Sequence, residues 1–227
     1  MKIKHLTLQT NYLAEQLYFY ESILAFEVKN KTQNSFQVQV GWTCLEFQRS
    51  DLQIPAYHYC FLIPRNKLNE AFEWMYNRVE IMDTNEDEKF AFFEDWNAQS
   101  FYFLDPAGNI AECIVRHDLE NDITTPFSTK HFLCVNEVGL PTDNIRAVYD
   151  QFYNAFGLDI WKGDWERFST IGSQEGLFLL PNHHTKTTWF PTDIQTKPIS
   201  ISSVIEINNR VFSFYFSNGR LINILSS

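Results

Sequence analysis

The chain has 227 residues, 44% of them hydrophobic and 20% charged, which is enough for one large domain or two small ones and too apolar for a disordered chain. Its formal net charge of −10 repels phosphate backbones and anionic lipid, so no nucleic-acid or membrane partner is expected. The aromatic content is high, with Phe 21, Tyr 10 and Trp 6; these residues furnish large cores between sheet and helix, and some of them could wall an apolar substrate pocket. The four cysteines, Cys44, Cys60, Cys113 and Cys134, form no Cys-x-x-Cys pair, and each lies in an apolar strand-like run. Buried free thiols of this kind suit a reduced, cytoplasmic setting. Residues 1–6 show no apolar signal region, and no apolar stretch is long enough to span a bilayer.

In chain order, residues 3–9 alternate and read as a strand. Thr10 and Asn11 are good helix N-caps, and Leu13, Leu17, Tyr20 and Leu24 mark one helical face. A short strand over 26–29, a polar turn at 30–34, an alternating strand through Phe36, Val38 and Val40, a turn at Gly41 and a strand over 44–47 complete a βαβββ unit. Pro55 marks the link to a second unit. A strand over 57–63 is followed by a helical stripe through Leu68, Phe72, Met75 and Val79. Then come a short segment over 80–82, the acidic loop 85–88, a strand through Phe101 and Phe103, the tight turn 105–109 and a strand over 110–115. Residues 117–130 are polar and read as a linker between domains.

The second half echoes the first. An offset of 132 carries positions 5–48 onto 137–180 without a gap, setting Leu8 on Leu140, Leu13 on Ile145, Tyr20 on Phe152, Leu24 on Phe156 and Phe36 on Phe168. The last unit is trimmed: residues 199–207 read as a strand, Asn208-Asn209-Arg210 replaces the helix, Ser213-Phe214-Tyr215-Phe216 echoes Ser100-Phe101-Tyr102-Phe103, and Asn218-Gly219 echoes the Gly108 turn. The fold class is α+β: repeated βαβββ units forming two tandem curved-sheet modules, residues 1–116 and 131–227, joined by the linker 117–130.

Four polar residues interrupt the strands of the first half. His5 and His58 lie in the first strands of units one and two, and Glu46 and Glu112 in their last strands. If these two units pair about a pseudo-two-fold axis, the four side chains can meet inside one curved sheet. Imidazole and carboxylate together suit Zn, Ni, Mn or Fe, and two buried carboxylates without a cation would be costly. Glu112 is the strongest member, flanked by Leu104, Ile110 and Ile114, and Glu46 is the weakest.

The sequence resembles the vicinal oxygen chelate superfamily, which includes glyoxalases, extradiol dioxygenases and bleomycin- and fosfomycin-resistance proteins. The resemblance rests on Phe19-Tyr20-Glu21-Ser22-Ile23-Leu24-Ala25-Phe26 and on Tyr102-Phe103-Leu104-Asp105-Pro106-Ala107-Gly108-Asn109-Ile110-Ala111-Glu112. It implies a divalent metal ion on His5, His58 and Glu112, with Glu46 as a fourth ligand or general base and Tyr102 as a hydrogen-bond donor to substrate. It implies a glyoxalase-like lyase or isomerase acting on a small molecule chelated through adjacent oxygens. Two alternatives are a ring-cleaving extradiol dioxygenase, disfavoured because segment 92–96 lacks a histidine, and a non-catalytic binding protein of the resistance type. It also implies pairing of two copies as a homodimer, a need that two modules in one chain can meet internally.

The second half lacks this ligand set: His5 corresponds to Glu137, Glu46 to Phe178, Glu112 to Asn223 and, loosely, His58 to Ile201. It reads as a degenerate, structural or pocket-lining copy, and His183-His184 reads as a surface pair in a loop. Units in this superfamily also pair across modules; pairing of unit two with unit three would bring Glu137 to His58 and Glu112. Sequential pairing is the expectation because it gathers all four candidates.

Overall fold

A computed structural model describes residues 1–226, apart from the side chains of Asn223 and Ser226. In chain order the elements are β1 (Lys2–Thr10), α1 (Leu13–Tyr18), β2 (Val28–Lys29), β3 (Ser35–Val40), β4 (Thr43–Arg49), β5 (His58–Leu62), α2 (Leu68–Tyr76), β6 (Ala91–Phe93), β7 (Ala98–Leu104) and β8 (Ile110–Arg116). The second half adds β9 (Cys134–Gly139), α3 (Ile145–Phe156), β10 (Ile160–Gly163), β11 (Phe168–Ser173), β12 (Gly176–Pro181), β13 (Ser200–Ile207), β14 (Arg210–Ser217) and β15 (Arg220–Ser226). The α+β class and its repeated units are as the sequence predicts. The 80–82 segment is a single bridge from Ile81 to Phe103, and the strand that pairs with β7 is β6. Asn208 and Asn209, both at positive φ, make the tight turn that stands where the last unit has no helix.

The pairing of units differs from the expectation. One curled sheet has the order β15-β14-β13-β1-β4-β3-β2, and the other β10-β11-β12-β9-β5-β8-β7-β6. Unit one therefore pairs with the trimmed last unit, through β1 and β13, and unit two pairs with unit three, through β5 and β9. Sequential pairing of units one and two is not what the chain adopts. Segment 117–130 joins β8 to β9 within one sheet, and it is docked there: Phe127 is buried, its amide donates to Glu70, and Arg65 pairs with Asp122.

One face of each sheet packs with the helices into a single core. Strand alternation sends Leu6, Leu8, Leu45 and Phe47 from the first sheet and Tyr59, Phe61, Phe101 and Phe103 from the second into it. The helices bury matching stripes. In α3 the Asn144 side chain caps the first turn by accepting from the Ala147 amide, Gly157 ends the helix at φ +68, and Ile145, Val148, Phe152 and Phe156 face inward. The opposite faces carry the polar residues, and that of the second sheet is itself covered by apolar clusters around Cys60, Leu62 and Ile114 and around Tyr102, Ile110 and Trp189.

The turn 105–109 aligns β8 against β5. The buried Asp105 carboxylate accepts from Tyr59 Oη at 2.7 Å, from the Ala107 and Asn109 amides at 2.9 and 3.0 Å, and from Asn109 Nδ2 at 2.8 Å. Asn109 Oδ1 in turn accepts from the Tyr57 amide. Asp105→Ala strands these donors in the core. The expected cost is about 2–4 kcal/mol, read as a Tm lowered by roughly 5–10 °C in thermal unfolding.

Candidate functional site

The register across the second sheet builds the site. Tyr102 on β7 lies opposite Glu112 on β8, Cys60 on β5 lies beside Glu112, and Glu137 on β9 lies opposite Cys60. These four residues form one row across four strands, on the face turned away from the core. His58, two residues before Cys60, projects from the same face. An irregularity in pairing between Cys60 and Phe61 shifts β9 so that Val135 and Val138 both enter the core while Glu137 faces the site.

His58, Glu112 and Glu137 thus converge, each offering a ligand atom within 4.8 Å of the others. They are 4%, 2% and 2% exposed. His58 Nδ1 donates to the Ile110 carbonyl at 3.2 Å, which leaves the Nε2 lone pair facing Glu112 Oε2 at 3.5 Å. Tyr102 Oη donates to Glu112 Oε1 at 2.9 Å. Glu137 pairs with Arg116, whose Nε donates to Asn136 Oδ1 at 2.8 Å. The guanidinium is completely buried and sits beside the rings of Trp96 and Trp161.

The electrostatics follow from burial. Desolvation lowers the His58 pKa to about 4, so the ring is neutral near pH 7. Burial first, and the Glu137 charge second, push Glu112 up to about 8. Burial also raises Glu137, against the opposing pull of Arg116. An imidazole lone pair and a carboxylate oxygen that face each other, both acceptors, need a proton or a cation between them. That donor set fits a divalent metal ion: one imidazole already oriented by a backbone carbonyl and two carboxylates, all buried. His58, Glu112 and Glu137 are the residues that can hold it.

The site opens into a cavity of about 340 Å³ lined also by Phe93, Trp96, Arg167, Phe168, Leu179, Lys186, Trp189 and Phe190. Trp189 lies 5.1 Å from the His58 ring, centroid to centroid. A Cβ added at Gly139 would stand 2.3 Å from Trp189 Cη2, so only glycine lets the indole lie against β9.

Of the expected site residues, Glu112, His58 and Tyr102 lie here, but His5 and Glu46 do not. Those two sit on the other sheet, where Glu46 Oε2 accepts from His5 Nε2 at 2.9 Å. Burial would raise the Glu46 pKa, but hydrogen bonds from Gln48, Gln37 and His5 outweigh it and leave the carboxyl below its usual value. His5 lines a separate hollow with Thr7, Ser202, Ser213 and Tyr215. The separation follows from the unit pairing and corrects the four-ligand set of the sequence reading. The second half is not spent: it supplies Glu137 and much of the cavity wall. The gap-free offset holds from β1 to β9 but slips afterwards. Phe178, set on Glu46 by the offset, packs in the core against Phe152 and Phe214. Ile201 also points into the core, and the Asn223 side chain lies outside the described residues. In the loop, His184 is exposed and His183 half-buried, away from the cluster.

No protein-family model matches the sequence, and no curated protein matches it. Among solved structures, a presumed dioxygenase from Bacillus subtilis subsp. subtilis str. 168 superposes with a TM-score of 0.60 at 13% identity, covering 100% of this chain and 84% of that one. A point mutant of glyoxalase I from Zea mays superposes with a TM-score of 0.57 at 10% identity, covering 96% and 89%. A lactoylglutathione lyase from Agrobacterium tumefaciens aligns with 53% of this chain and 97% of its own, at a TM-score of 0.42 and 17% identity. The chain shares the two-sheet fold of these two full-length matches, as the resemblance in its sequence leads one to expect. Among the described residues, no helix is long and apolar enough to cross a membrane.

Proposed function

We propose that this chain is a divalent-metal-dependent enzyme of the glyoxalase-like lyase or isomerase type, acting on a small molecule chelated through two adjacent oxygens. The observation that carries this reading is the buried convergence of His58, Glu112 and Glu137, all acceptors, at the base of one aromatic cavity. When bound, the metal supplies Lewis-acid polarisation of a substrate oxygen. The chain's residues do the rest. The Ile110 carbonyl fixes the His58 ring, Arg116 pins Glu137, and Tyr102 orients Glu112 rather than standing free for substrate. Glu112, the carboxyl not paired with a cation of the chain, would give up its proton on becoming a ligand. The aromatic wall keeps water from the reacting atoms.

The dioxygenase alternative needs two histidines with one carboxylate. The topology separates His5 from His58, and Phe93 and Trp96 occupy the wall of segment 92–96. The binding-protein alternative has one observation in its favour: Arg116 already neutralises Glu137, so a single proton on Glu112 closes the cluster without a metal. Metal analysis of protein purified without chelator separates the two. About one transition-metal ion per chain, lost in His58→Ala, is the result expected of the enzyme; protein that stays metal-free when offered Zn²⁺, Mn²⁺, Fe²⁺ and Ni²⁺ is the result expected of the binder.

A further inference from the structure

The cavity has a second polar group. Besides its buried acidic cluster, Lys186 and Arg167 line it, Lys186 half-buried with its charge reaching His58, Arg167 exposed. Their polar contacts are with backbone carbonyls: Lys186 Nζ donates to Thr188 O at 3.3 Å and Arg167 Nη1 to Thr185 O at 3.1 Å. Neither makes an ion pair with a carboxylate among the described residues. Several other cations, among them Lys130, Lys162 and Arg210, also make no ion pair among the described residues, but they do not line this cavity, and others do pair. Arg65 holds Asp122, Arg146 holds Asp150 and Lys89 holds Asp83. In a chain of net charge −10, these two cations share the lining of one cavity without an ion pair, the Asp164 carboxylate lying within electrostatic reach of Arg167.

The same cavity has an unbroken aromatic wall. Tyr102 and Phe190 lie 5.5 Å apart, Phe190 and Phe93 6.4 Å, Phe93 and Trp96 5.8 Å, and Trp96 and Phe168 6.4 Å, centroid to centroid. Lys186 Nζ lies 5.9 Å from the Phe168 ring. Burial first, and the Arg167 charge second, push the Lys186 ammonium below its ordinary value. A cation held in this way gains from an incoming anion. The wall favours a flat ring, which can stack or meet edges at these spacings.

From this layout we infer that the cavity takes a small aromatic acid, its ring against Trp96, Phe168 and Phe190 and its carboxylate on Lys186 and Arg167. The assignment rests on the same cavity being the working site of the proposed function. It adds the substrate class: the anionic group binds these two cations, leaving the rest of the molecule to reach His58, Glu112 and Glu137.

The test is titration calorimetry of the full chain with 2-naphthoate and with the neutral 2-naphthalenemethanol, on metal-free and on Mn²⁺-loaded protein. The expected result is naphthoate binding about tenfold more tightly than the alcohol in both forms, as one charge-assisted contact gives. In the Lys186→Gln/Arg167→Gln double variant that preference falls below about threefold while the alcohol's affinity stays within twofold. Equal affinities in the unaltered chain, no binding of either probe at millimolar concentration, or a preference that survives in the double variant overturns the assignment. The comparison of two probes on the unaltered chain stands even where the double variant does not fold. A preference present in metal-free protein that cannot be loaded with Mn²⁺ supports the aromatic-acid assignment and removes the metal reading. Loaded protein with no preference overturns the aromatic-acid assignment alone.

Discussion

Glu137→Gln lowers the affinity for Mn²⁺ by at least about 100-fold, while His5→Ala changes it by less than twofold. Loss of an outer-shell partner alone typically costs 10–100-fold, so loss of a donor sets a floor at the upper end of that range. Glutamine is the informative substitution. Its amide oxygen can still accept from Arg116, whose guanidinium is completely buried and would otherwise be left without its counter-charge. Alanine would strand that cation at a cost of about 3–5 kcal/mol and confound metal loss with unfolding. The His5 arm carries the contrast. The sequence reading places His5 and Glu46 in the same site as His58; the fold puts them on the other sheet, where His5 bonds Glu46. A calorimetric titration of both variants checks the pair of outcomes.

Metal-free protein loses stability as pH rises from 6.5 to about 8, and Mn²⁺ restores more of it at pH 8 than at pH 6. The sign follows from two groups. Glu112 has its folded pKa raised from 4.5 to about 8, so its neutral form supports the fold fully below 4.5 and that support is lost as pH climbs through 8. His58 has its folded pKa lowered from 6.5 to about 4, so its contribution is complete above 6.5 and is lost as pH falls toward 4. The two oppose each other between 4.5 and 6.5; above 6.5 the His58 contribution is complete and the Glu112 effect leads, opposed by the Met1 amino group, whose pKa burial lowers from 8.0. A fall in Tm of about 5 °C between pH 6.5 and 8.5 is expected without metal. A bound cation replaces the proton on Glu112, so binding at pH 7 releases about one proton, and the release fades above pH 9. Thermal scans, with calorimetry in buffers of different ionisation enthalpy, read both effects. A Tm that rises across this window in metal-free protein would show that Glu112 does not keep its proton.

Much of this was legible in the residues. The turn 105–109 announces itself by composition, and its hydrogen bonds explain why: Asp105 alone takes four donors, which fixes where β8 begins and therefore where Glu112 points. The echo between halves is equally readable in β1 and β9, where Ile3, Leu6 and Leu8 match Val135, Val138 and Leu140 in the core, with the same irregular step before His5 and Glu137. What local pattern does not encode is which unit pairs with which. Every unit offers one apolar face and one first strand, and either partner satisfies both. The clue was electrostatic. Arg116 ends the apolar run of β8 and Glu137 interrupts that of β9; both are buried, and they can neutralise each other only if β8 and β9 flank β5. The slip of one residue in β11 and β12 was hidden for another reason: Phe168 and Phe178 are large and apolar whichever way they face, yet one lines the cavity and the other fills the core.

Anomalous scattering from a Mn²⁺-soaked crystal is the most direct measurement. One peak per chain is expected, within coordination distance of His58 Nε2 and the carboxylates of Glu112 and Glu137. A peak between His5 and Glu46 instead, or none at the His58 cluster under saturating Mn²⁺, contradicts the assignment.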